Sequence, residues 1–116
     1  MRKRRVAVLI SGRGSNMEAL ADACVAPDYP AMIAGVLSDR GDAPGLQAAA
    51  RRGIAAVALP RDDYPSKGEH EAAIHRQLVA WQAEFGCLAG FMRLLSGAFI
   101  APWQGRIINI HPSLLP

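Results

Sequence analysis

Residues 6–10, Val-Ala-Val-Leu-Ile, are apolar at every position and run directly into Ser11-Gly12-Arg13-Gly14-Ser15-Asn16. A short run with no polar position suits a strand buried on both faces, the habit of parallel sheets. Behind the glycines, Met17, Leu20, Ala21 and Cys24 recur at i, i+3, i+4 and i+7, one stripe of a 3.6-residue period. The segment therefore reads as strand, tight loop, then helix over residues 15–25. Ser15 and Glu18 have S-x-x-E spacing, which predicts a capping box at the helix start. A parallel strand can be rejoined only through a crossover, so this opening commits the chain to βαβ units.

The rest of the chain repeats the alternation. A second strand is expected over residues 32–37, followed by a turn through Arg40-Gly41-Asp42. A short helix over 44–52 has Pro44 in its first turn and Gly53 as its stop. A third strand over 55–59 closes at Pro60. Ser66 and Glu69 form a second capping-box pattern, opening a helix to about Trp81 with Ile74, Leu78 and Trp81 on its buried stripe. A fourth strand over 85–89 is expected to be weakened by Gly86, which has no side chain to pack. A short helix over 97–101 and a fifth strand over 106–110 complete the pattern. The fold class expected is α/β, a parallel sheet of about five strands with crossover helices. The final strand runs into a loop without a following helix, and a parallel sheet needs cover, so the expectation is one truncated domain over residues 1–116.

Size and composition agree with one globular domain. The 116 residues are 51 % apolar and 20 % charged, with a formal net charge of +3. Arg2, Lys3, Arg4 and Arg5 supply much of that charge. They are read as a solvated lead-in rather than a nucleic-acid patch. The apolar run behind them is too short for a secretory core or for a membrane span of about 20 residues. Cys24 and Cys87 lack metal or redox spacing, and are expected to be reduced, buried thiols in a cytoplasmic protein. His70 and His75, at i and i+5 of one helix, diverge too far to share a metal, and no metal site is expected. Trp81 and Trp103 read as packing residues.

Three segments carry chemistry. The glycines at 12 and 14 allow close backbone approach, and the helix behind them aims free N–H groups and a positive dipole at any anion held there. The amides of Gly14, Ser15 and Asn16 are the candidate phosphate ligands; a ligand-free βα turn is the alternative. A dinucleotide fingerprint would place an acid at Asp39, but Met17 stands where its third glycine belongs. At the other end, Asn109 and His111 face one side of an extended strand end, an amide and an imidazole suited to oxyanion stabilisation and proton movement. A surface or capping histidine is the alternative there. Between them, Phe91, Met92, Leu94 and Leu95 around Gly90 form either an apolar helix entry or a slot for a flat heterocycle.

Taken together and in order, V-L-I-S-G-R-G-S-N at 8–16, L-A-G-F-M-R-L-L-S at 88–96 and I-N-I-H-P-S-L-L-P at 108–116 resemble the glycinamide ribonucleotide formyltransferases. The resemblance covers essentially the whole chain and implies their Rossmann-like N-terminal nucleotide-binding domain. It implies formyl transfer from the co-substrate 10-formyltetrahydrofolate to the amine of glycinamide ribonucleotide, in purine biosynthesis. Gly14, Ser15 and Asn16 would then hold the substrate phosphate. Lys67, Met92, Arg93, Leu94, Leu95 and Asn109 would contact the folate, and Asn109 and His111 would be the catalytic pair. The family's catalytic aspartate falls beyond residue 116, so the chain alone is expected to be inactive. The alternatives are a non-catalytic phosphate-binding module and a related folate-dependent formyltransferase or hydrolase. Neither nucleic acid nor membrane is an expected partner, and the oligomeric state is open.

Overall fold

Apolar side chains on both sides of the first strand demand cover on both faces, and the fold supplies it in three layers. The computed structural model describes residues 2–110. Its elements are β1 (Arg4–Ile10), α1 (Ser15–Cys24), β2 (Ala31–Ser38), α2 (Pro44–Arg51) and β3 (Ala56–Ala58). After a 3-10 turn (Arg61–Asp63) come α3 (Lys67–Ala80), β4 (Phe85–Ala89), α4 (Gly97–Ile100), a second 3-10 turn (Ala101–Trp103) and β5 (Ile107–Ile110). The sheet runs β3-β2-β1-β4-β5 with every pair parallel. This is the five-stranded parallel α/β sheet that the sequence implied.

Alternation along β1 divides its side chains between two cores. Val6, Val8 and Ile10 join Met17 and Ala21 of α1 and Ala48 and Ala49 of α2 on one face. Ala7 and Leu9 join Ile74 and Leu78 of α3, Phe99 of α4 and Trp103 on the other. The register with β2 slips by one residue between Val6 and Ala7. Just past that slip lies Gly35, where a Cβ would meet the Trp81 ring at 2.4 Å. Trp81 is thus a packing residue whose indole needs a bare strand position. Trp103 is buried, donates Nε1–H to His75 Nδ1 at 3.1 Å and lies under the Arg106 guanidinium. Among the described residues no cluster of three or more potential metal ligands occurs.

Four expectations need correction. Ser15 does not cap α1: Gly14 is the N-cap at φ 76°, and no side chain bonds to the helix start. The left-handed glycine already turns the chain, so Ser15 falls inside the first turn; Glu18 instead reaches Arg52 at 3.5 Å. The pattern at Ser66 does form its first half, with Oγ accepting from Glu69 N–H at 3.1 Å. Gly86 does not weaken β4 for want of a side chain. A Cβ there would stand 2.8 Å from Ile107 Cδ1, because Ile107 of the neighbouring strand fills the space, and a larger residue would require that methyl to move aside. Cys24 is only half-buried, unlike Cys87, whose thiol burial pushes up to about 11; both are free.

The fourth correction concerns the basic lead-in, which is tied down rather than merely solvated. Arg2 and Arg4 bond the Glu84 carboxylate, and Lys3 Nζ donates to the carbonyls of Cys24 and Ala26. Arg5 gives its N–H to Glu84 and its Nε–H to the Trp81 carbonyl. These bonds surround the start of β1, which extends back to Arg4. They also hold the Glu84 carboxyl down at about 2, chiefly through the Arg2 guanidinium, then the Arg5 N–H and Arg4. A carboxyl lowered on folding stabilises the fold above its unfolded value near 4.5, and that contribution disappears as pH falls towards 2. Glu84→Gln is therefore expected to destabilise the chain at pH 7, with the gap to wild type closing between pH 4.5 and 2 in urea melts. Gly35→Ala is expected to cost about 1–3 kcal/mol through the clash with Trp81, read from the same melts.

Candidate functional site

In an open parallel sheet the strand carboxyl ends face a crevice where the strand order reverses, here between β1 and β4. The loops after β1, β2, β3 and β4 all reach it. They line a cleft of about 660 Å³ that includes Ser11, Gly12, Asp39, Arg61, Met92 and Arg93. A second recess, of about 270 Å³, adjoins it. Lys67, Met92, Arg93, Leu94 and Leu95 all line this recess, so five of the folate-site candidates from separate segments do converge.

The glycine loop is shaped by close approach. Gly14 is buried at φ 76°, and a Cβ on it would lie 3.1 Å from Gly45 Cα. Gly45, in the first turn of α2, donates its N–H to the Gly12 carbonyl at 3.0 Å. A Cβ on Gly45 would in turn meet Ile10 Cδ1 at 2.4 Å. The first intrahelical bond of α1 runs from Glu18 N–H to the Gly14 carbonyl at 2.8 Å. The amides of Ser15, Asn16 and Met17 precede it and carry the free donors and positive end of the helix dipole. Ser15 is exposed, Asn16 half-buried.

Two buried carboxylates pin the loop between β4 and α4 at its two ends. At the near end Ser11 Oγ donates to Asp39 Oδ1 at 2.6 Å and accepts the Met92 N–H at 2.9 Å. Arg93 Nε donates to Asp39 Oδ2 at 2.8 Å. Both carboxylate oxygens are engaged, so Asp39 is a structural hub and not a free ribose acceptor. At the far end Glu71 accepts from the N–H and Oγ of Ser96, and Ser96 Oγ caps α4 by accepting from Phe99 N–H. Between these anchors Phe91 and Leu95 pack on the α3 side of the core. Met92 and Leu94 stand 82 % and 86 % exposed, so these two do not serve core packing.

Asn109 lies on β5 opposite Leu88, exposed, and is not among the residues that line the recess. His111 lies outside the described residues. Sequence reasoning missed Ser11, Gly45, Arg61, His70 and Glu71. His70 is buried with Nε2 2.7 Å from the Leu59 carbonyl, and it lines the recess beside Lys67. The spacing of His70 and Glu71 on α3 gave no sign of this, because their partners lie in other segments.

Residues 4–116 match the protein family described as "Formyl transferase". The chain belongs to the formyl transferase family. It is similar to the phosphoribosylglycinamide formyltransferase of Escherichia coli, at 40 % identity over 96 % of this chain and 52 % of that protein. It is 47 % identical to the trifunctional purine biosynthetic protein adenosine-3 of Drosophila pseudoobscura pseudoobscura, over 98 % of this chain and 8 % of that one. The crystal structure of phosphoribosylglycinamide formyltransferase from Brucella melitensis superposes with a TM-score of 0.94 at 54 % identity, covering 99 % of this chain and 60 % of that one. This formyl transferase chain thus spans about half the length of the bacterial enzyme it matches. Among its described residues no helix is long and apolar enough to cross a membrane.

The left-handed Gly14 gives this loop a direct test. Gly14→Ala is expected to destabilise the chain by about 1–2 kcal/mol, the cost of a side chain in that conformation. Gly12→Ala, which meets open space, should stay within about 0.5 kcal/mol of wild type in urea melts.

Proposed function

We propose that this chain supplies the phosphate site and much of the folate site of a glycinamide ribonucleotide formyltransferase of purine biosynthesis. The observation that carries the reading is the convergence of Lys67, Met92, Arg93, Leu94 and Leu95 on one recess, in a formyl transferase fold. The names of the bacterial relatives support the choice of glycinamide ribonucleotide as acceptor.

In this reading Gly14, Ser15 and Asn16 hold the substrate phosphate by backbone amides at the α1 N-terminus, with the Ser15 hydroxyl free as a further donor. Exposed Met92 and Leu94 give an apolar wall to a folate ring, and Lys67 and Arg93 give it positive charge. Asn109 adds a contact from the end of β5. The glycinamide amine attacks the formyl carbon of 10-formyltetrahydrofolate. Asn109 and protonated His111 stabilise the oxyanion that develops. The carbon–nitrogen bond to folate then breaks, the proton given up by the attacking amine passes to the folate nitrogen, and formylglycinamide ribonucleotide leaves. No metal enters this chemistry, and the setting is cytoplasmic.

The test is a formyl-transfer assay on a protein that carries this chain together with the remaining half of its relatives' length. Asn109→Ala and His111→Ala are each expected to lower kcat by about 10²–10³-fold, the effect of removing one oxyanion donor. The 116-residue chain by itself is expected to show little or no turnover. Unchanged kcat in both variants would overturn the assignment of the pair, and near-normal turnover by the isolated chain would overturn the expectation about its activity.

A further inference from the structure

We propose that Asp39 is a positioning residue for the co-substrate, aiming the Arg93 guanidinium into the recess and locking the glycine loop to the folate loop. The proposal rests on the reading of that recess as the folate site.

The Asp39 side chain is only 4 % exposed, whereas that of Arg93 is 43 % exposed. A carboxylate so deeply buried needs its charge compensated, and Arg93 Nε at 2.8 Å is the cation that does so. This bond uses the inner nitrogen of the guanidinium. Among the described residues the two terminal nitrogens of Arg93 have no hydrogen-bond partner, which leaves that edge of the fork for a ligand. A guanidinium held by one edge presents the other in a fixed plane, as recognition of a planar anionic group requires. The folate co-substrate carries such carboxylates. Arg93 also lies where the larger cleft and the recess meet, because it lines both.

The other oxygen of Asp39 extends the linkage. Its acceptor position fixes the Ser11 hydroxyl, whose lone pair takes the Met92 N–H. Ser11 opens the glycine loop, and Met92 adjoins Arg93 on the recess wall. One carboxylate therefore sets both the direction of a recess cation and the separation of two binding loops.

The test is a double-mutant cycle on the full-length protein, with KM read separately for each substrate. D39N keeps an acceptor for the Ser11 hydroxyl but turns an amide NH₂ towards Arg93, releasing the guanidinium. KM for 10-formyltetrahydrofolate is expected to rise about tenfold, the size of one charge-assisted hydrogen bond. KM for glycinamide ribonucleotide and kcat at saturating folate should stay within about twofold. In an Arg93→Ala background, adding D39N should leave the folate KM where Arg93→Ala alone puts it. A D39N protein that changes both KM values alike, or still raises the folate KM without Arg93, overturns the proposal. If D39N does not fold, D39E keeps the charge and displaces the guanidinium. Its folate KM should also rise, and an unchanged value overturns the proposal. A wild-type protein that neither binds 10-formyltetrahydrofolate by calorimetry nor uses it overturns the functional reading, and this proposal with it.

Discussion

Everything in this fold depends on the burial of β1 from both sides. Ala7, Val8, Leu9 and Ile10 are at most 1 % exposed, and a strand in that position cannot leave any backbone group unpaired without a cost of about 1–3 kcal/mol. It therefore pairs with β2 on one edge and β4 on the other, and both partners must be parallel because each is reached through a helix. The two helix layers follow, and so does the crevice. The chain runs outward from β1 to β2 and β3 on one side and returns to β4 and β5 on the other, so the order reverses beside β1 and the loops at its carboxyl end splay apart there. The cleft is a by-product of the same constraint that builds the core.

The parts of this structure legible in the sequence are those governed by periodicity. Apolar runs, helical stripes and glycine stops lie within a few residues of one another, and the five strands and four α-helices of the described residues could be placed from them. What escaped reading depends on partners distant in the chain. Gly86 looks like a defect until Ile107 is seen to fill its space. Ser15 has the spacing of a cap, but the conformation of Gly14 decides the matter first. The basic lead-in looked idle because its carboxylate partner, Glu84, is 79 to 82 residues away.

The candidate site divides in the same way. Lys67 and residues 92–95 were accessible through a family resemblance, and the structure explains why segments so far apart share a wall. α3 and the loop after β4 pack against each other through Glu71 and Ser96. Neither of those two residues carries a motif. A buried carboxylate that accepts from a capping serine is indistinguishable, in sequence, from an ordinary surface glutamate on a helix.

Asp39 gives the sharpest instance. An acid at the end of the second strand invites a ribose-binding reading, and its position in the fold is where a dinucleotide enzyme would use one. Two interactions prevent that use. The Ser11 hydroxyl and the Arg93 guanidinium occupy its oxygens, and both come from loops that border the cleft. Freeing the carboxylate for a ribose would strand Arg93 without its anion and release the Met92 amide from Ser11. Breaking the pair would leave the Asp39 carboxylate, 4 % exposed, without its counter-charge, a cost of several kcal/mol that the ribose hydrogen bonds would first have to offset. The missing third glycine and the occupied acid thus exclude the same ligand on independent grounds, one through helix packing and the other through charge.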